Sequence, residues 1–398
     1  MSEEPGAKSE SPAVMGGRVG NVHAVQPSSE TIQIAGAGPA GLAAAITLAQ
    51  AGRAVVVHEM YRHVGYRFSR DTQGLENWTT KQDVLEVLQG LGMTTRFENV
   101  ACYEGTIFDA WGQSYPVHSN KPLFYMIERG PGPGTLDTAL LAQARALGVE
   151  VRFKSRLDRL EGPGILATGP KVADAIAVGY HFETSLPTGF WVICDNELAP
   201  QGYAYLVVLN GRGTLKSAMF SGYKQEKIFV ERTVDAFRRL VGLEMIDPRP
   251  HGGVGNFRIP VSATSGRHPV VGEHAGFQDV LLGFGIRLAI VSGVLGARSL
   301  LDGGSYDARW RGELAPFLKS SLINRAIYGM MGNRGYRWLL RYQAGRSDPC
   351  DFMHWLYKPS WGKQILLPWA RSRYESRRRD KSCDHTDCAC IWCRCGKA

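Results

Sequence analysis

Side chains able to do chemistry gather at three places. The densest is Cys383-Asp384-His385-Thr386-Asp387-Cys388-Ala389-Cys390-Ile391-Trp392-Cys393-Arg394-Cys395, where Cys383, His385, Cys388, Cys390, Cys393 and Cys395 place five thiols and an imidazole within 13 residues. Those ligands outnumber the four of a structural zinc site, and thiolate-rich sets also suit Fe–S clusters and Cu(I). The spacing C-x-H-x2-C-x-C-x2-C-x-C fits no common zinc-finger form. Zinc leads, Fe–S remains open, and a disordered or redox-active cysteine tail is the alternative. A second group comprises Tyr203, Tyr205, His181 and His274, phenols and imidazoles of the kind that donate protons. Alternating aromatics such as Tyr203 and Tyr205 also serve as sheet packing, and His181, in an apolar strand, reads as a hydrogen-bonded core residue. His274 lies inside a glycine block and is a candidate cofactor contact. The third group, Arg62, Arg67 and Arg70, suits phosphate or an anionic head group, or equally a solvated loop.

The element that must organise these groups is Thr31–Glu59. Ile32–Ala35 is a short apolar strand, Gly36-Ala37-Gly38-Pro39-Ala40-Gly41 supplies G-x-G-x-x-G, and an Ala/Leu-rich helix runs to Gly52. Ala54–His58 is a second strand that ends on Glu59. A lone G-x-G-x-x-G is weak; within strand, turn, helix, strand and acid it is a dinucleotide fingerprint. Gly36 allows the tight turn, Gly38 the close approach of backbone to pyrophosphate, and Gly41 the helix–strand contact. The helical composition spans Leu42–Ala51. Glu59 is placed for ribose hydroxyls, and an acid there favours FAD or NAD over NADP.

The whole chain, 398 residues with a formal net charge of +9, has room for two or three domains. It contains no run of 18 or more apolar residues. The stretch 1-30 reads as a disordered tail without a signal-peptide core. Cys102, Cys194 and Cys350 are scattered singly, which points to a reducing cytoplasm rather than a disulfide framework. Met60–Trp78 reads as a loop. Helices are expected near Thr80–Leu91 and Thr135–Leu147, and strands at Arg96–Val117, Phe124–Ile127, Val149–Phe153 and Ile165–Gly169. From 171 to 260 the pattern turns to strands at Ala175–Phe182, Gly189–Cys194, Ala204–Leu209 and Leu215–Ser221, with one helix at Glu226–Val241. The reading is α/β: a Rossmann-like domain from 31-170 and 261-303, an inserted antiparallel substrate sheet at 171-260, a helical region at 304-381, and the cysteine tail at 382-398.

Pro269–Leu301 holds a second glycine block. A strand leads to Gly272-Glu273-His274-Ala275-Gly276-Phe277, and Gly283-Phe284-Gly285-Ile286-Arg287 opens a long helix. Helix starts on glycine present free N–H groups and a positive dipole end, suited to the negative charge of a reduced flavin. With the first fingerprint and the ATG turn at Ala167–Gly169, this order resembles flavoproteins of the geranylgeranyl reductase type, within the superfamily of the aromatic hydroxylases. The resemblance spans about residues 31–302.

It implies that Gly36, Gly38, Pro39, Ala40, Gly41 and Glu59 bind the ADP half of FAD. Gly272, Gly276, Gly283, Gly285 and Ile286 would bind the flavin half, with Arg129 beside the cofactor and Glu273 where the family has an aspartate for the ribitol. Two departures stand out. Gly65–Arg70 lacks the cysteine of archaeal members, and Tyr203–Val208 keeps the aromatics of Y-x-W-x-F-P without its proline.

The resemblance implies an FAD-dependent oxidoreductase that passes hydride from reduced flavin to a carbon–carbon double bond of an isoprenoid or lipid-like substrate. A flavin monooxygenase is the alternative, and a flavin-binding redox sensor or accessory protein the second. No second complete G-x-G-x-x-G occurs, so electrons would come from docked NAD(P)H or a reduced electron-transfer protein. The region 322–381 interleaves Tyr336, Trp338, Tyr342, Trp355, Tyr357, Trp361 and Trp369 with arginine and lysine. That composition fits peripheral contact with an anionic membrane on its inner, cytoplasmic face. It also fits helical packing with a solvated basic end; nucleic acid is not expected.

Overall fold

The computed structural model describes Met1 and residues 30–170, 173–257, 259–345 and 348–375. The expectations for the N-terminal tail and for Cys383–Cys395 fall outside the described residues. In chain order the elements are β1 (Ile32–Ala35), α1 (Pro39–Gln50), β2 (Val55–Glu59), β3 (Asp71–Glu76), α2 (Val84–Gly90), β4 (Asn99–Cys102), β5 (Glu104–Asp109) and β6 (Ser114–His118). There follow β7 (Phe124–Arg129), α3 (Leu136–Ala146), β8 (Glu150–Phe153), β9 (Gly164–Leu166), β10 (Ala175–Glu183), β11 (Gly189–Cys194), β12 (Tyr203–Leu209) and β13 (Arg212–Met219). The chain continues with α4 (Glu226–Val241), β14 (Ile246–Gly255), α5 (Ile286–Asp302), α6 (Tyr306–Glu313), α7 (Ala315–Ala344), α8 (Pro349–Tyr357) and α9 (Trp361–Glu375).

Three sheets carry the fold. A parallel sheet runs β8-β2-β1-β9, a mixed seven-stranded sheet β14-β10-β13-β12-β11-β5-β6, and a small antiparallel sheet β3-β7-β4. The Ala/Leu composition of α1 has a direct cause. Ala43, Ala44, Ala45 and Ile46 are all fully buried, because α3 and α5 both pack on the helix. Side chains larger than methyl would hold those neighbours apart. At Gly293 of α5 an added Cβ would collide with the Ala40 carbonyl oxygen, so only glycine permits this crossing.

Three sequence expectations need correction. Met60–Trp78 is not all loop: β3 lies inside it, hidden by Asp71, Gly74 and Glu76, residues a strand seldom favours, and held by pairing with β7. The strand β14 was not foreseen because Pro248 and Pro250 break the pattern; it lies at the edge of the sheet, paired with β10, where missing N–H donors are tolerated. The substrate sheet also extends beyond 171-260, since β5 and β6 from the first block join it through the parallel β5–β11 pair.

Replacing Gly293 with Val is expected to destabilise the protein by about 1–3 kcal/mol through overpacking. Gly90→Ala, where an added Cβ meets nothing within 4 Å, should change stability by less than about 1 kcal/mol. Thermal unfolding of both variants checks the contrast.

Candidate functional site

The first glycine turn is built as its spacing requires. Gly36 has φ of 103°, and its N–H donates to the His58 carbonyl at 2.7 Å. Gly38 is the N-cap of α1 with φ −75° and ψ 177°, makes no side-chain cap, and has open space where a Cβ would stand. Pro39 follows at the start of the helix, where its missing N–H costs nothing. One Glu59 carboxylate oxygen accepts from the Ala37 N–H at 2.9 Å and the other from the Tyr61 N–H at 3.0 Å. Burial raises the Glu59 pKa, and these two donors oppose the rise.

Segments far apart in sequence meet here. Gly36 lies against the Ala167 carbonyl of the ATG turn, and Thr168 Oγ1 lies 3.1 Å from His274 Nδ1. Gly272 has φ of 63°; a Cβ on it would stand 2.8 Å from the Ala40 Cβ, and its N–H donates to Ser292 Oγ at 2.8 Å. The second glycine block therefore lies against the start of α1. Gly276 and Gly283 have φ of 85° and 80°, and Gly285 is the uncapped N-cap of α5, which begins with buried Ile286.

Glu273 is partly buried, with one carboxylate oxygen accepting from the Asn256 N–H at 3.1 Å. Desolvation pushes its pKa up to about 7 against the pull of that N–H and of Arg67 and Arg129. Arg129 is committed elsewhere: it forks onto Asp137 at 2.8 and 2.9 Å and donates to Gln73 at 3.0 Å. It braces the site.

Among the described residues, Trp78 Nε1, Asn256 Oδ1 and Gln278 Oε1 are buried without a hydrogen-bond partner. Trp78 stacks edgewise on Phe284 at 4.9 Å, Asn256 bonds the Glu273 carbonyl, and Gln278 bonds the Gly283 carbonyl. All three orphaned atoms border the second glycine block. Two uncapped helix starts, a buried acid at the first turn and orphaned polar atoms at the second fit an extended dinucleotide with a polar heterocycle.

Across the seam stands the seven-stranded sheet. Directly opposed strand residues share a face. The registers Tyr205↔Lys216, Lys216↔Gly179 and Gly179↔His251 therefore form one row, with His181 two residues from Gly179 on the same face. Asp71 of β3 meets that row. Its Oδ1 accepts from Lys216 Nζ at 2.7 Å and from His181 Nε2 at 3.0 Å. Burial works to raise the Asp71 carboxyl, but Lys216 and the two histidines hold it well below the usual range.

The tyrosines divide. The Tyr203 hydroxyl donates to the Leu282 carbonyl and so ties the sheet to the second glycine block, whereas Tyr205 faces the Asp71 row. Burial raises the pKa of both phenols. His274 sits at the ATG turn, and His181 is hydrogen-bonded as expected of a core residue. Asp71, Lys216 and His251 escaped the sequence reading. Asn210-Gly211, both at positive φ, was the missed signal: this two-residue turn sets Lys216 opposite Tyr205. A cleft lined by Asp109, Asp195, Arg232 and Asp235 lies on the α4 side and takes no part.

Because the folded Glu273 pKa lies above its unfolded value, the stability it contributes is full below about 4.5 and is lost as pH rises through about 7. The melting temperature of Glu273→Gln relative to the parent should climb across that window and then level off, as measured by unfolding scans over pH.

Residues 29–165 match the FAD binding domain family. Comparison with curated proteins returns no match. Among solved structures, a geranylgeranyl bacteriochlorophyll reductase-like protein from Thermoplasma acidophilum is similar, with 16% identity, TM-score 0.67, and coverage of 87% of this chain and 99% of that one. A flavin-dependent halogenase aligns at 17% identity and TM-score 0.57 over 87% of this chain and 77% of its own. A probable FAD-dependent monooxygenase from Pseudomonas aeruginosa aligns at 14% identity and TM-score 0.57 over 79% of this chain and 100% of its own. This chain therefore matches an FAD binding domain over residues 29–165 and shares the fold of a reductase-like protein, a flavin-dependent halogenase and a probable FAD-dependent monooxygenase.

Proposed function

We propose that this protein is an FAD-dependent oxidoreductase that reduces a carbon–carbon double bond of an isoprenoid or lipid-like substrate. The observation that carries the reading is the meeting of Gly272 with Ala40, which sets the second glycine block against the start of α1 beside a partly polar sheet face. Gly36, Gly38 and Glu59 hold the ADP half of FAD; Gly283, Gly285 and Glu273 hold the flavin half. When bound, FAD supplies the hydride chemistry. The residues exclude water and orient the substrate: Trp78, Phe124, Phe190 and Phe284 pack as an apolar cluster beside the second block. The overlap with nearly the full length of a reductase-like protein and the Gly283–Arg287 pattern support the reductase reading. Tyr205 is the better proton donor of the tyrosine pair, because Tyr203 already donates to Leu282. NAD(P)H or a reduced protein supplies electrons.

A monooxygenase is the second reading, favoured by the Asp71–Lys216 pair, since a charged wall suits a polar substrate. Reduction of the FAD-loaded protein with NADPH, anaerobically and then in air, separates the two. Reductase activity predicts a saturated product without substrate-linked oxygen uptake. Oxygen consumption matched to a hydroxylated product would move the assignment to the second reading.

The C-terminal helices are also proposed to rest on anionic lipid. No helix among the described residues is long and apolar enough to cross a membrane. Yet Trp338, Trp355, Trp361, Ile365 and Leu366 are exposed beside exposed Arg334, Arg341 and Lys358. Aromatic side chains with cations suit an interface. The protein should sediment with phosphatidylserine vesicles and not with phosphatidylcholine ones, and Trp355→Ser with Trp361→Ser should release it.

A further inference from the structure

The polar row on the sheet holds an atom the fold does not satisfy. His251 Nε2 lies 3.2 Å from the Arg67 carbonyl oxygen. A carbonyl only accepts, so Nε2 carries the proton and Nδ1 is a bare lone pair. That Nδ1 is buried and has no hydrogen-bond partner. The ring is fixed by stacking on His181, centroids 4.0 Å apart, so it cannot swing away to find one. Gly179, between Lys216 and His251 in the row, carries no side chain and can carry none, because a Cβ there would collide with the Leu215 carbonyl oxygen; the row therefore keeps a notch between the Lys216 and His251 side chains. A buried acceptor without a donor costs free energy in the empty protein that a ligand recovers.

We propose that this notch, bounded by Asp71, His181, Lys216 and His251, binds the hydroxyl head group of the substrate, making it an isoprenoid or lipid-like alcohol. The hydroxyl donates to His251 Nδ1 and lies beside the Lys216 ammonium, while the chain runs into the apolar cluster of Trp78, Phe124 and Phe284. This rests on the reading of the seam as the substrate side of an FAD site, and it names the end of the substrate that the reading leaves open.

Two other ligands fit less well. A diphosphate would set several negative charges against Asp71, and the one cation in the notch is already bonded to that carboxylate. A metal ion is favoured by distance alone, since ligand atoms of Asp71, His181 and His251 lie within 4.8 Å of one another. However, the Lys216 ammonium and the His181 N–H both occupy Asp71 Oδ1, and the Gln73 amide donates to Oδ2 at 2.7 Å, so both carboxylate oxygens are already engaged. Burial, and then the charge of Lys216, lower the His251 pKa to about 4, so its Nδ1 stays unprotonated near neutrality.

Calorimetric titration of the full chain with geraniol, geranyl methyl ether and geranyl diphosphate tests the assignment, with a readout that does not need bound flavin. The alcohol should bind about tenfold more tightly than the ether, the equivalent of one hydrogen bond to a buried acceptor. His251→Phe should erase that preference, and His251→Asn, which returns an acceptor close to the Nδ1 position, should restore part of it. Flavin content and melting temperature confirm that each variant folds, and the alcohol–ether contrast in the parent protein decides even if a variant does not. Equal affinity for alcohol and ether, absence of alcohol binding, tighter diphosphate binding, or one equivalent of tightly held metal lost in His251→Phe would each overturn it. Failure of the protein to take up FAD would instead overturn the oxidoreductase reading.

Discussion

Close packing of α5 and of the second glycine block on the start of α1, permitted only by glycine, is the constraint on which the structure rests. α1 and α5 approach until Gly293 touches the Ala40 carbonyl and Gly272 meets the Ala40 methyl. A Cβ at Gly293 would push α5 off α1, and one at Gly272 would push the second glycine block off the start of α1. Positive φ at Gly36, Gly272, Gly276 and Gly283 aims the turns between them, a conformation costly to other residues. Both helices leave their first turns without side-chain caps. Those N–H groups need an acceptor, and a dinucleotide is a long one with charge at its centre.

Around that contact, buried ion pairs tie the third sheet to α3, to α5 and to the second sheet. Arg129 with Asp137, Arg287 with Glu76 at 2.5 Å, and Lys216 with Asp71 each join residues of different elements. Such pairs add little net stability when both charges are desolvated. Their effect here is positional: breaking one partner strands a charge, so the strands keep their relative placement. Asp279 does the same for the loop between the glycines. It accepts from Ser321, from the Tyr357 hydroxyl at 2.7 Å, and from the N–H groups of Leu281 and Leu282. The C-terminal helices are thereby fastened to the second glycine block, and the aromatic, basic region belongs to the same body as the cleft.

The Asp71 row gives the seam a chemical character unlike the apolar pocket the reductase resemblance implies. One face of the seven-stranded sheet is aliphatic, with Ala204, Leu206, Val208 and Leu215 under α4. The other carries Tyr203, Tyr205, Lys216, His181 and His251. Both faces come from the same strands by simple alternation. The Tyr203 hydroxyl, bonded to Leu282, sets how far that polar face stands from the second glycine block. The width of the seam is therefore set by a tether between the sheet and the loop.

What was readable in the sequence was local. Glycines at 36, 38 and 41 declare a turn because only glycine adopts or tolerates that backbone, and the flanking apolar runs declare strand and helix through their period. The same holds for Gly283 and Gly285 before α5, and for α4, whose ends fall where the pattern placed them. β3 and β14 were not readable, because Asp71, Gly74, Pro248 and Pro250 oppose strand formation alone and accept it only beside a partner strand. Nor was the grouping of Asp71, His181, Lys216 and His251, spread over 181 positions of sequence. The Asn210-Gly211 turn could have set Lys216 opposite Tyr205, but nothing local says that β10 lies beside β13, that β14 adds outside β10, or that β3 crosses that face. Pairing between distant strands is decided by the energy of the whole packed core. Backbone preference therefore wrote the cofactor cleft into the sequence, and only the tertiary structure decided what faces it.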